Sequence, residues 1–218
     1  MTNLVYQHLA PFLVESYRNR LSYATEWKGF GSIQYPQDLF VIAEILCRNR
    51  PRLVIETGLA NGGTSAFIAD VVQAWHGRVL SVDINPNPDI ARALKQGFTN
   101  IDVLSADSAT LDVNVLSTDA MIILDSNHQA EHVLAELKLF QQLVPVNGYI
   151  LVCDTCLDFV PEGTFPWSKV KQGNGPFAAI TQFLRETDGF VIDKSFEQRY
   201  LITSNPSGLL RKVKKRCC

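Results

Sequence analysis

The 218-residue chain is 46% apolar and 19% charged, with a formal net charge of −2, which suits a single soluble domain long enough to bury a sizeable core. No basic excess points to nucleic acid, and no apolar run reaches membrane-spanning length. The first twenty residues, interrupted by Glu15, Arg18 and Arg20, lack the continuous apolar stretch of a signal peptide. Five cysteines, an odd number, argue against a disulfide framework, so the expected location is the cytoplasm.

Residues 4–21 read as an amphipathic helix carrying Leu4, Val5, Leu9, Phe12 and Leu13 on one side, with Pro11 a possible kink point. Tyr23 to Pro36 reads as an aromatic-rich loop, with Trp27, Phe30 and Tyr35, suited to packing or to a substrate wall. A second helix starts at Asp38 and ends near Pro51, with Cys47 expected in its apolar face. Residues 1–50 thus form an N-terminal helical segment ahead of a core over 52–203 and a tail over 204–218, within one domain.

The core opens with Leu53-Val54-Ile55-Glu56-Thr57-Gly58, a β-branched run ending in a glycine turn, followed by Gly62-Gly63-Thr64-Ser65 and an apolar helix. Strand, glycine turn and helix N-terminus form a ligand cradle, because glycines let the backbone approach and the first helical N–H groups are free. A phosphate-binding P-loop would need a Lys after Gly63, where Thr64 stands. A dinucleotide fingerprint would need a glycine at Ala60. S-adenosyl-L-methionine (SAM) remains, and Glu56 suits it, since a carboxylate repels phosphate and attracts a cationic ligand.

Strands at Arg78–Asp83, Ile101–Ser105, Ala120–Asp125 and Tyr149–Cys153 then alternate with helices at Pro88–Lys95 and Ala130–Leu143. This is the pattern of a doubly wound parallel sheet. A helix at Phe177–Thr187 leads to two closing strands, Phe190–Asp193 and Arg199–Thr203.

Ligands of open α/β sheets sit beyond the strands' carboxyl ends, so the residues there are the informative ones. Asp83 ends the second core strand and can accept both ribose hydroxyls of an adenosine cofactor. Asp107 and Ser108 end the third, placed to contact adenine. Asp125 with His128, and Asp154, end the next two. Two such carboxylates can hold a divalent cation that acidifies a substrate hydroxyl. His128 can take the hydroxyl proton, imidazole titrating near neutrality. His132, one helical turn on, reads as a helix-surface residue. Cys153 and Cys156 form a C-x-x-C, but no helix opens directly after it, as a redox pair would require, and zinc finds no further soft ligands.

Across Trp27 to Arg211 the motifs resemble the cephalosporin hydroxylase/rhamnosyl O-methyltransferase family of SAM-dependent enzymes. They include Tyr35-Pro36-Gln37-Asp38-Leu39, the cradle, Val82-Asp83-Ile84, Asp107-Ser108, Asp125-Ser126-Asn127-His128 with His132 to Leu137, Gly173-Asn174-Gly175-Pro176 and Asn205-Pro206-Ser207-Gly208. The resemblance implies a class I methyltransferase (Rossmann-like) fold of seven strands, the last antiparallel. SAM would be held by Glu56, Thr57, Gly58, Gly62, Gly63, Thr64, Ser65, Asp83, Asp107 and Ser108. A magnesium ion would be held by Asp125 and Asp154, and the methyl acceptor would be a hydroxyl on a sugar or other natural product. Cys153 stands where the family has an acid, and a thiol is a poor ligand for magnesium. Two expectations stay open: an ion held by Asp125, Asp154 and water, or a metal-independent reaction. A hydroxylase-associated or non-catalytic SAM-binding subunit is the rival reading. The apolar N-terminal helices also predict a homo-oligomer.

Overall fold

In the computed structural model, residues 2–165, 168–200 and 202–214 are described, with side chains throughout except at 2–9, 22 and 23. Helix α1 (Thr2–Arg18) and a 3-10 turn (Leu21–Ala24) precede a two-stranded hairpin, β1 (Glu26–Trp27) and β2 (Phe30–Gly31), and helix α2 (Pro36–Asn49). The Tyr23–Pro36 segment, read as a loop, therefore contains this hairpin. Trp27 Nε1 and Lys28 Nζ donate to the Asp70 carboxylate at 2.7 and 2.8 Å, which pins the hairpin to the helix Gly63–Gln73 of the core. Of the predicted N-terminal apolar face, Leu4, Val5 and Leu9 lie outside the described side chains, Leu13 is buried and Phe12 is exposed.

The core runs β3 (Leu53–Thr57), α3 (Gly63–Gln73), β4 (Arg78–Asp83), α4 (Pro88–Gly97), β5 (Ile101–Ser105), β6 (Ala120–Leu124), α5 (Ala130–Phe140), β7 (Tyr149–Val152), α6 (Pro176–Glu186), β8 (Phe190–Ile192), α7 (Ser195–Tyr200) and β9 (Leu209–Lys212). The strands form one seven-stranded sheet in the order β5-β4-β3-β6-β7-β9-β8. β3 to β7 pair in parallel, and β9 pairs antiparallel with both β7 and β8. This is the class I methyltransferase sheet with its last strand antiparallel.

The period-2 alternation of strands explains how both faces are buried. Val54, Met121, Ile123 and Leu151 pack on one face with Ile42, Ile45 and Leu46 of α2, Ala66 and Ile68 of α3, and Phe196 of α7. Ile55, Ile122, Leu124 and Ile150 pack on the other with Val133 and Leu137 of α5 and Ile180 and Phe183 of α6.

Three expectations are corrected. Arg199–Thr203 is not the closing strand. Asp193 Oδ1 accepts from Ser195 N at 3.0 Å and from Ser195 Oγ at 2.6 Å, so the chain turns into α7 instead. The closing strand is β9, inside the predicted tail. Leu209 and Leu210 are both buried, and Arg211 and Lys212, which make the segment look solvated, sit at its partly exposed end. Cys47, expected in the core, is exposed on α2, because Ile45 and Leu46 take the buried stripe. Cys217 and Cys218 lie outside the described residues.

Candidate functional site

The parallel register brings Glu56, Ser81 and Ile123 side by side and places the ends of β3, β4, β5, β6 and β7 along one edge of the sheet. A cavity of about 490 Å³ opens there, lined by Gly58, Ala60, Val82, Asp83, Ile84, Ala106, Asp107, Ser108, Asp125, Ser126, Asn127 and His132. Gly58, Asp83, Asp107, Ser108 and Asp125 of the predicted site residues thus share one wall-to-wall space.

Gly58 is required by geometry. It has φ +88°, and a Cβ there would overlap the Asp125 carbonyl oxygen. Its smallness lets the cradle and the β6 terminus close on each other. Gly63, at the start of α3, has the carbonyl of Gly31 in the place of a Cβ, so the N-terminal hairpin seats directly on the cradle. Thr64 faces that hairpin, its hydroxyl 3.1 Å from that of Ser32.

Asp83 is held in place before any ligand arrives. Its Oδ2 accepts from Leu59 N and its Oδ1 from Asn85 N, both at 2.8 Å. Each oxygen keeps a further lone pair for a hydroxyl in the cavity. Asp107 similarly accepts from Ala109 N at 3.0 Å.

Glu56 sits differently. It is buried beneath the turn, bonded to Ser65 Oγ and, at 3.3 Å, to Ser81 Oγ, and it does not line the cavity. Burial pushes its carboxyl up to about 7, against the lowering effect of the two serines. Thr57, Gly62, Gly63, Thr64 and Ser65 also stand behind the wall. They shape the turn, and Thr57 O and Oγ1 hold the Asp125 N–H at 3.0 and 3.3 Å.

Where Asp125 lines the cavity three groups converge, although His128 and Asp154 do not themselves form part of its wall. Asp125, His128 and Asp154 each bring one ligand atom within 4.8 Å of the others, and His128 Nε2 lies 3.5 Å from Asp154 Oδ2. Asp154 occupies a left-handed conformation, φ 54°, uncommon for a residue with a Cβ. Its N–H donates to Asn205 Oδ1 at 2.7 Å. Asn205 follows Ser204, whose N–H and hydroxyl both donate to Asp38 at 3.0 Å. Asp38 is buried, and desolvation lifts its carboxyl to about 6. A buried polar chain from α2 therefore fixes the backbone of Asp154.

Burial raises Asp125 well above the usual carboxylate range, and the neighbouring Asp154 raises it further. Gln34 Nε2 donates to Asp125 Oδ2 at 2.8 Å and lies 3.9 Å from Cys153 Sγ. The thiol of Cys153 is fully buried and pushed well up, by burial first and by Asp125 and Asp154 next, so it stays neutral. Cys156 is pushed up for the same first reason, the opposite of the depressed thiol a redox pair uses. Two facing carboxylates beside an imidazole nitrogen form a donor set that a divalent cation fits.

His132, expected on the helix surface, is corrected: it points into the cavity. The four-residue spacing to Glu136 puts both on one face of α5, with His132 Nε2 3.5 Å from Glu136 Oε1. Gln34, Asn205 and the His132–Glu136 pair are the site-forming groups that sequence reasoning left out. The i, i+4 spacing was a usable signal for the last, whereas Gln34 and Asn205 lie in irregular segments with no periodic signature.

Residues 19–213 match the family described as rhamnosyl O-methyltransferase/CmcI. The chain belongs to that family. A rhamnosyl O-methyltransferase of Mycobacterium leprae is 31% identical over 207 residues, covering 89% of this chain and 86% of the relative. One from Mycobacterium tuberculosis is 29% identical, covering 89% and 80%. Among solved structures, CmcI described as bound to magnesium and SAM superposes with a TM-score of 0.61 at 17% identity, covering 88% of this chain and 78% of that one. The O-methyltransferase TomG of Streptomyces achromogenes gives 0.58 at 14% identity, covering 96% and 90%. This chain is accordingly a SAM-dependent O-methyltransferase. Among the described residues no helix is long and apolar enough to cross a membrane.

Proposed function

We propose that this methyltransferase moves the methyl group of SAM to a hydroxyl of a small natural product, with a deoxysugar of the rhamnosyl kind as the acceptor class. The observation that carries the proposal is the convergence of His128 and Asp154 on Asp125, which shares the cavity wall with Asp83 and Asp107. The curated relatives that match over most of their length carry the rhamnosyl name and support the acceptor class.

SAM, when bound, supplies an electrophilic methyl on a sulfonium. The chain's part is to hold the ribose hydroxyls at Asp83 and the adenine edge at Asp107 and Ser108, and to align an acceptor oxygen against the methyl. The Gly58 turn lets the cradle backbone approach the donor. Glu56 acts on that turn from below, through Ser65 and Ser81. At the acceptor end His128 takes the hydroxyl proton at a ring nitrogen, and the imidazolium so formed is stabilised by the Asp154 carboxylate beside it. Asp125 and Asp154 are the residues that would hold a divalent cation, which would acidify the acceptor hydroxyl. The neutral Cys153 thiol leaves these two carboxylates as the site's acidic oxygen donors, and Gln34 fills the side of Asp125 that faces it.

Calorimetry with S-adenosylhomocysteine, beside methyl release onto rhamnosyl acceptors with and without chelator, tests the proposal. Donor binding with transfer to such an acceptor is the expected result, and donor binding without transfer to any hydroxyl would refute it. Full activity in chelator would leave the His128–Asp154 pair as the only activating device. Self-association is proposed as well, supported by the exposure of Phe12, Leu21, Ile33 and Phe40 in the N-terminal segment.

A further inference from the structure

Beneath the Asp107 end of the cavity lies a polar cluster in which only Ser108 has a part in the proposed methyl transfer. Glu136 is fully buried. Its Oε1 accepts from Ser108 Oγ at 2.7 Å and from Ser126 Oγ at 2.9 Å, and its Oε2 has no hydrogen-bond partner. His132 Nε2 lies 3.3 Å from each of the two hydroxyls and 3.5 Å from Oε1. Both hydroxyls spend their protons on Glu136, so towards His132 they can only accept, and Nε2 must carry a hydrogen. A buried carboxylate with one oxygen unpartnered is costly unless a positive charge stands beside it. The imidazole is the cation-forming group at hand, and it forms part of the cavity wall together with Asp107, Ser108 and Ser126.

We propose that His132, held as an imidazolium by the buried Glu136, is a cofactor-recognition residue whose cavity-facing N–H donates to a ring nitrogen of the adenine. Asp107 and His132 then present an acceptor and a donor to one base, which carries both an exocyclic amine and bare ring nitrogens. The charged groups facing His132 are Glu136 on its own helix and Asp107 from the end of β5. Asp125, at the end of β6, faces Glu136 in turn. The hydrogen bond to Glu136 raises the imidazole above its ordinary value, with burial opposing. The sign is therefore fixed: the donor form is present at low pH and is lost as pH rises through this raised value, and donor affinity falls with it.

The inference rests on the SAM reading of the cavity, and one experiment separates the two. S-adenosylhomocysteine affinity is measured by calorimetry from pH 6 to pH 9 for the native chain and for His132→Gln. The ligand's own amine titrates equally in both arms. The native chain is expected to lose roughly tenfold in affinity across the range, equal to about 1.4 kcal/mol. His132→Gln is expected to bind throughout at the weaker level, without that loss. Parallel pH profiles would overturn the role of His132, while no binding by the native chain at any pH would overturn the cofactor site itself. Imidazole NMR of the native chain needs no variant: saturation with S-adenosylhomocysteine should move the His132 titration midpoint upward, and an unmoved or lowered midpoint overturns the inference.

Discussion

The two ends of the cavity are built by different means. At the proposed donor end, Asp83 and the Gly58 turn are set by strand register and by a backbone hydrogen bond between adjacent parallel strand–turn units. At the acceptor end, Asp125 is steadied by Gln34 from 91 residues earlier, and Asp154 by Asn205 from 51 residues later. A donor site made from local backbone suits a cofactor common to many enzymes. An acceptor site assembled from distant irregular segments can change without disturbing the sheet.

Gly58→Val should erase the distinction by breaking both ends together. The branched side chain would enter the Asp125 carbonyl at a φ it rarely adopts. Calorimetry and methyl release should then fail in parallel, and donor binding retained beside lost transfer would contradict the shared wall. Asp83→Ala should weaken S-adenosylhomocysteine by about 10- to 100-fold, the scale of one or two charge-assisted hydrogen bonds, with the acceptor KM nearly unmoved. Gln34→Ala should do the reverse, lowering turnover by roughly 5- to 30-fold through loss of one hydrogen bond to a buried carboxylate, with donor affinity within twofold.

The smallest effect concerns Glu56. Its folded-state value of about 7 stands above the ordinary 4.5, so the folded chain holds this proton more tightly than the unfolded chain. Its contribution to stability is present below the ordinary value and is lost as pH rises towards 7. Denaturant midpoints taken from pH 5 to pH 7.5 should fall more steeply for the native chain than for Glu56→Gln, and equal slopes would remove the buried proton from the account.

The same contrast governs what the sequence made legible. Strands β3 to β7 were readable because their apolar runs end at acids and glycines in a repeating order, and so were Asp83, Asp125 and Asp154. β9 was not, since Leu209-Leu210 is a short apolar pair followed by a basic run, and its pairing partners β7 and β8 are remote in sequence. α7 has no periodic pattern to announce it, because the turn into it is fixed by Ser195 N and Oγ donating to the Asp193 carboxylate. Gln34 carries no signal, and Asn205 stands out only as part of a family-like motif without a role, as a polar residue in an irregular segment acquires its meaning only from what folds against it. Glu56 was placed on the right strand, yet its depth beneath the turn depends on Ser65 and Ser81, which single-strand reasoning does not bring together.

Donor binding and acceptor activation are proposed to be separable, with His128 belonging to the second alone. The direct measurement is His128→Ala, compared with the native chain by S-adenosylhomocysteine calorimetry and by single-turnover methyl transfer. Donor affinity is expected to stay within twofold while transfer slows by about 10²- to 10⁴-fold, the range that one general base supplies. Unchanged transfer, or donor affinity lost to the same degree as transfer, would contradict it.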